Sequence, residues 1–196
     1  MLLIIEWPDL SWKTTLIKKL KSIFGTSISF KLPNEILPKN WSEIERMKIY
    51  NWYLTSVEFF KRYNEQFKNN YIIQDRFYIS ELVYWKIFRW YEPFENINLQ
   101  KIEEKIKEIP HLVIYLSDDL EWYQKRFEQY GDDKIKKFDT FKKLLNRYNE
   151  VFEKINLNKI MINPFKDENH LNKIINKIIE IKNIKKINNN ERSRIS

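Results

Sequence analysis

The sequence predicts an α/β fold built on a parallel sheet, and three observations carry that expectation. Short apolar runs of β type alternate with longer helical patterns, as in strands joined by right-handed helical crossovers. No internal repeat and no Pro- or Gly-rich linker breaks the alternation, and 196 residues suit one domain with a substantial core. The first apolar run leads through a loop into Lys13-Thr14-Thr15, which open a helix.

Taken in order, Leu2 to Glu6 reads as a buried strand by its continuous apolar character. A helix over Lys13 to Phe24 leads to a second strand, Thr26 to Lys31. A long helix follows from Ser42 to Lys68, then a third strand from Tyr71 to Asp75. Helical patterns over Ile79 to Phe88 and Ile97 to Ile109 precede a fourth strand, Leu112 to Ser117, set off by Pro110. Helices over Leu120 to Tyr130 and Phe138 to Lys154 lead to the fifth strand, Lys159 to Asn163, closed by Pro164. A last helix runs from about Asp167 to Lys182. Residues 1–182 are thus expected to form the domain, and the polar, basic end Asn183 to Ser196 to fray.

Composition excludes several classes. Hydrophobic residues are 43% and charged residues 32%, a globular balance. No apolar run approaches the roughly 20 residues that cross a bilayer. Met1 to Ile5 is too short for a secretory signal and has no basic flank before it. There are no cysteines, so disulfides, thiolate metal sites and a cysteine nucleophile are ruled out. Two histidines, His111 and His170, are too few for a histidine-rich metal site or relay. A cytoplasmic protein with no membrane partner is the expectation.

Two oddities matter more. Glycine occurs twice, against about 7% in average usage, while tryptophan occurs seven times. Alanine is absent and Ile, Lys and Asn are abundant. An AT-rich gene explains those losses and gains, but not the tryptophans. The net charge of +8 has two readings, lysine drift from the same gene bias or a polyanionic partner.

The segment Glu6-Trp7-Pro8-Asp9-Leu10-Ser11-Trp12-Lys13-Thr14-Thr15 between strand and helix is the setting of a phosphate-binding loop, G-x-x-x-x-G-K-[ST]. In such a loop successive backbone N–H groups and the helix N-terminus surround a phosphate. The lysine reaches the β/γ oxygens and the hydroxyl holds Mg²⁺. Lys13, Thr14 and Thr15 fit in type and spacing. Trp7 and Trp12 stand where glycine belongs, because there the backbone takes positive φ or touches phosphate. The other reading is an ordinary strand-turn-helix with a Lys-Thr-Thr helix start.

With glycine restored at both tryptophans the segment reads E-G-P-D-L-S-G-K-T-T. It then resembles the opening of thymidylate kinases and related deoxynucleoside and deoxynucleotide kinases. Asp75-Arg76-Phe77-Tyr78-Ile79-Ser80-Glu81-Leu82-Val83-Tyr84 resembles their D-R-[YF]-x-x-S-x-x-[AV]-Y signature, at a strand end where a carboxylate can face phosphates. Val83-Tyr84-Trp85-Lys86-Ile87-Phe88-Arg89-Trp90 is similar to the Y-G-x-x-x-R-G of phage-type relatives, again with tryptophan at both glycines. One cause accounts for all four positions: UGA codons that the source reads as glycine, written here as tryptophan. UGG codons at Trp7, Trp12, Trp85 and Trp90 would sink that explanation. The alternative is a degenerate relative whose tryptophans pack as ordinary aromatics. Trp41, Trp52 and Trp122 have no expected glycine.

The resemblance covers most of the chain. It implies a nucleoside-monophosphate-kinase fold: a three-layer sandwich with a five-stranded parallel sheet, helices on both faces and a lid at about 120–137. It implies ATP as phosphoryl donor, with Mg²⁺. The ATP loop would be Trp7, Pro8, Asp9, Leu10, Ser11, Trp12, Lys13, Thr14 and Thr15. Lys13 would bind the β/γ-phosphates, and Thr14 and Asp75 would serve the metal. Thr15 would support the α-phosphate side, Asp9 would help place the acceptor or simply cap the turn, and Arg76 would hold the acceptor phosphate bidentately, the other reading of Asp75 and Arg76 being a strand-end salt bridge. Among the lid cations Lys125, Arg126, Lys134, Lys136 and Lys137, Arg126 is favoured as the catalytic arginine; a solvated helix face is the other reading.

For the acceptor, Lys31 after strand two, Tyr50 on the long helix, Arg76, Tyr84 and Arg89 are the candidates. Tyr50, Tyr53 and Phe60 could stack on a base or be core. The arginine that follows the stacking aromatic in thymidylate kinases has no counterpart; Leu54 falls there. The leading expectation is ATP-dependent phosphorylation of a deoxynucleoside monophosphate, most simply dTMP to dTDP. The alternatives are a deoxynucleoside kinase acting on the 5′-hydroxyl, with Glu35 as a nearby acid, and a catalytically inactive nucleotide- or nucleic-acid-binding relative. A homodimer built on helices is a further implication.

Overall fold

Five parallel strands form the sheet in the order β2-β3-β1-β4-β5: β1 (Leu2–Glu6), β2 (Ser27–Phe30), β3 (Tyr71–Asp75), β4 (His111–Leu116) and β5 (Lys159–Ile162). The computed structural model describes residues 1–8, 13–24, 27–30, 42–89, 94, 96–117, 119–130, 135, 137–164 and 166–195; of these, the side chains of 27–30, 89, 96–97 and 185–195 lie outside the description. β1 is central, with Leu2 opposite Ile72 of β3 on one side and opposite His111 of β4 on the other. Leu2, Leu3, Ile4 and Ile5 are all fully buried. A strand covered on both faces has to be apolar throughout, which is why the pattern is a run and not an alternation.

Helices α1 (Lys13–Phe24), α2 (Glu43–Gln66), α3 (Tyr78–Arg89), α4 (Asn96–Lys107), α5 (Leu120–Tyr130), α6 (Phe138–Lys154) and α7 (His170–Ile195) make the other two layers. Tyr71 of β3 marks one face: Phe24 of α1 stacks on it at 4.2 Å, and Lys182 of α7 donates to its hydroxyl at 2.7 Å. Tyr115 of β4 marks the other, against Tyr148 and Phe152 of α6. α3 packs beside α6, and α4 beside α2. Right-handed crossovers force this split, because only the β1-to-β2 connection runs leftward across the sheet.

Local chemistry fixes the helix ends. Ser42 caps α2 by accepting the Glu45 N–H, and Glu43 and Glu45 suit the positive end of the helix. Lys159 donates to the carbonyls of Phe152, Glu153 and Ile155, satisfying the end of α6. His111 is structural: its Nδ1 lies 2.8 Å from the Ile109 carbonyl and its Nε2 accepts the Asn158 N–H.

α7 departs from expectation. It continues to Ile195 through the segment expected to fray. Residues 183–195 hold neither Pro nor Gly, so no residue there stops a helix. Among the described residues no helix is long and apolar enough to cross a membrane.

Candidate functional site

The sheet order reverses between β1 and β3. The chain leaves β1 toward β2 and leaves β3 toward β4, so the carboxyl ends of these strands border the crevice where open α/β sheets bind ligands. Glu6 ends β1 and Asp75 ends β3. α1 begins at Lys13.

Lys13 ties the two strand ends together. Its Nζ lies 2.9 Å from Asp75 Oδ1 and 4.7 Å from the centre of the Trp7 ring. Both charged side chains are about one-fifth exposed, whereas Trp7 is 1% exposed. Thr14 and Thr15 are exposed in the first turn of α1, where backbone N–H groups have no helical acceptor. Lys13, Thr14 and Asp75 therefore fit a Mg²⁺-bound polyphosphate in type and place. The Trp7 indole does not, because it takes the space beside the ammonium that a glycine would leave to phosphate. Asp9, Leu10, Ser11 and Trp12 lie outside the described residues.

The turn from β3 into α3 is the second half of the site. Arg76 has φ 60°, in the left-handed region. A non-glycine residue there costs about 1–3 kcal/mol and persists only where its surroundings over-determine it. Here they do. The Arg76 N–H donates to the Ile5 carbonyl at 3.0 Å, and Gln74 Nε2 donates to the Arg76 carbonyl at 2.7 Å. The Phe77 N–H donates to Glu6 Oε1 at 2.6 Å, and the Ser80 hydroxyl donates to Glu6 Oε2 at 2.5 Å. Ser80 Oγ also lies 2.9 Å from the Tyr148 hydroxyl of α6. The Arg76 guanidinium sits 5.1 Å over the Tyr84 ring.

Glu6 is fully buried. Burial pushes its carboxyl up to about 8, against the opposing pull of Ser80, the Phe77 N–H and the Arg76 charge. Glu6, Ser80 and Tyr148 are residues the motif reading assigned no role. A signal for Glu6 was present: it is the acid in an otherwise apolar strand. Tyr148 had none, since it comes from α6, far along the chain.

The remaining candidates divide. Tyr84 joins the site through Arg76, and stacks on Phe88. Tyr50, Tyr53 and Phe60 are buried, so in this chain they take the core alternative. Tyr53 packs edge-on to Phe77 and Phe94. Helical spacing turns Tyr50 inward with Ile49, Tyr53 and Val57. Trp85 is buried, and its indole N–H donates to Glu81. Burial and the Glu81 charge push the Tyr53 hydroxyl well above its usual range. Arg126 lies between the rings of Trp122 and Tyr130, one helical turn to either side, at 4.8 and 5.0 Å. Lys31, Glu35, Trp41, Trp90, residues 131–134 of the expected lid with Lys134, and Lys136 lie outside the described residues, as does the Arg89 side chain. Among the described residues no group of three or more His, Cys, Asp or Glu could cage a metal.

No family model matches the chain. It is 32% identical over 156 residues to the SPbeta prophage-derived uncharacterized protein YorR of Bacillus subtilis (strain 168), across 80% of this chain and 84% of that one. The crystal structure of YorR from Bacillus subtilis, in complex with phosphorylated GDP, superposes with a TM-score of 0.71 at 24% identity, covering 93% of this chain and 98% of YorR. Deoxyadenosine kinase from M. mycoides with bound dCTP matches at a TM-score of 0.55 and 16% identity, over 92% of this chain and all of that one. Polyphosphate kinase 2 from Arthrobacter aurescens TC1 matches at 0.54 and 12%, over 91% of this chain and 65% of that one. With a fold shared by P-loop kinases and a curated relative at this identity and coverage, the chain belongs to the YorR family.

Proposed function

We propose that this protein transfers a phosphoryl group from ATP to a deoxynucleoside monophosphate, with thymidylate the simplest acceptor. The observation that carries the reading is Lys13 Nζ at 2.9 Å from Asp75 Oδ1, with Arg76 held at φ 60° beside them on the carboxyl edge of the sheet. Phosphoryl transfer needs positioning and positive charge on the equatorial oxygens more than covalent help. Lys13 would serve the β/γ-phosphates, Thr14 and Asp75 the Mg²⁺, Arg76 the acceptor phosphate, and Arg126 the transferring group. The bound metal supplies charge neutralisation at the phosphates.

The tryptophans belong to the same reading. The Trp7 indole stands against the Lys13 ammonium. A chain with tryptophan at 7 and 12 keeps the fold and loses the phosphate cradle; glycine at 7, 12, 85 and 90 supplies it. A second reading, a deoxynucleoside kinase acting on the 5′-hydroxyl, is favoured by the likeness to deoxyadenosine kinase. YorR, the relative that shows the family, is seen with phosphorylated GDP, so purine acceptors belong in the test.

The test is Mg·ATP-dependent ADP release from the written chain and from the four-glycine chain, with deoxynucleosides and their monophosphates as acceptors. Turnover of monophosphates by the four-glycine chain supports the proposal. Turnover of nucleosides instead selects the second reading. Silence from both chains on every acceptor, with saturable and steeply salt-dependent binding to DNA or RNA, selects the non-catalytic alternative.

A further inference from the structure

We propose that Glu6 is a positioning residue for Arg76, acting through the turn between β3 and α3 without touching a ligand. Glu6 is fully buried, so it presents no surface to substrate. Its two carboxyl oxygens reach from β1 across to the next element: Oε1 takes the Phe77 N–H at 2.6 Å and Oε2 takes the Ser80 hydroxyl at 2.5 Å. Phe77 follows Arg76, and Ser80 lies in the first turn of α3. The carboxyl therefore fixes the residue after the left-handed one and the helix that carries Tyr84. With the Ile5 carbonyl and Gln74 holding the Arg76 backbone itself, these two anchors set where the guanidinium lies, 5.1 Å over the Tyr84 ring.

Packing does not ask for an acid here. Leu2 to Ile5 fill the rest of β1 with apolar side chains, and an apolar residue at position 6 would spare the desolvation of a carboxyl. What a carboxyl supplies is two oxygens at a fixed spacing, one for the Phe77 N–H and one for the Ser80 hydroxyl. Tyr148 of α6 extends the arrangement through Ser80, so the helix that follows the expected lid bears on the same turn. The functional half of the inference rests on the proposed role of Arg76 at the acceptor phosphate; the structural half does not.

The experiment pairs crystal structures of the written chain bearing Glu6→Ala or Glu6→Gln with steady-state kinetics of the same changes in the four-glycine chain. In Glu6→Ala, Arg76 leaves the left-handed region, and the acceptor KM rises by about tenfold or more while the ATP KM stays within about twofold. Glu6→Gln keeps one acceptor for the Phe77 N–H and restores most of the acceptor KM. Arg76 still near φ 60° in Glu6→Ala overturns the proposal. So does an equal rise in both KM values, which marks a general structural role. If Glu6→Ala does not fold, Ser80→Ala is read by the same two measures. Loss of the turn in Glu6→Ala, with no turnover by the four-glycine parent on any acceptor, upholds the positioning and rejects the kinase reading.

Discussion

Two loops leave the carboxyl edge of the same sheet, and they treat the special backbone positions differently. The β3–α3 turn puts Arg76, a poor residue for positive φ, into the left-handed region and holds it there with the Ile5 carbonyl, Gln74, Glu6 and Ser80. The β1–α1 segment has tryptophan where its motif requires glycine, and the Trp7 indole is buried against Lys13. The first turn accepts backbone strain to place the Arg76 side chain over Tyr84. The second fills with hydrophobic side chain the space a functional backbone needs. The proposed site tolerates the first arrangement as written and needs glycine in place of the second, because the Trp7 indole lies 4.7 Å from the Lys13 ammonium.

The largest expected effect breaks the comparison at its weak side. Trp7→Gly with Trp12→Gly, Trp85→Gly and Trp90→Gly raises ADP release by about a hundredfold or more over the written chain, on the scale of restoring lost phosphate donors. The same chain separates the two origins of the tryptophans. A tryptophan packed as core costs about 3–5 kcal/mol on removal, read in denaturant titrations; one forced into space shaped for glycine costs far less, because its removal relieves overpacking. Next in size is the ion pair that joins the two loops. In the four-glycine chain, Lys13→Met lowers kcat by about 10²–10³-fold, and Asp75→Asn lowers it and raises the Mg²⁺ requirement. Arg126→Ala follows, with kcat lower by about tenfold and little change in stability, since its partners are the rings of Trp122 and Tyr130 on its own helix.

The smallest effect sharpens the strong side. The Glu6 carboxyl stands at about 8 in the fold against an ordinary 4.5. Between those values the folded chain holds a proton that the unfolded chain has released. The contribution is therefore complete below about 4.5 and is lost as pH rises through about 8. The thermal midpoint should fall between pH 5 and pH 8, and Glu6→Gln should flatten that fall relative to the parent.

Most of the fold was legible because its signals are local. The strand at Leu2–Glu6 is an uninterrupted apolar run, and Pro110 and Pro164 bracket the later strands. The last helix runs past its expected end at Lys182 because polarity does not argue against a helix: Asn183 onward is polar but holds no residue that stops α7 before Ile195. Lys13 was legible from spacing, and Asp75 and Arg76 from the resemblance of their segment to a kinase signature; the structure pairs Lys13 with Asp75. Tyr50 was ambiguous because an aromatic at helical spacing suits core and pocket alike; the structure buries it among core residues. Glu6, Ser80 and Tyr148 were not assigned, because their meaning lies in contacts between residues 68 to 74 apart in sequence.

The proposed function turns on one point: tryptophan at the phosphate edge withholds nucleotide binding from the written chain. Calorimetric titration of Mg·ATP into the written chain and into the four-glycine chain tests it most directly. Saturable one-site binding in the four-glycine chain, with none in the written chain, is the predicted result. Equal affinity in both chains, or no binding in either while both remain folded, would contradict it.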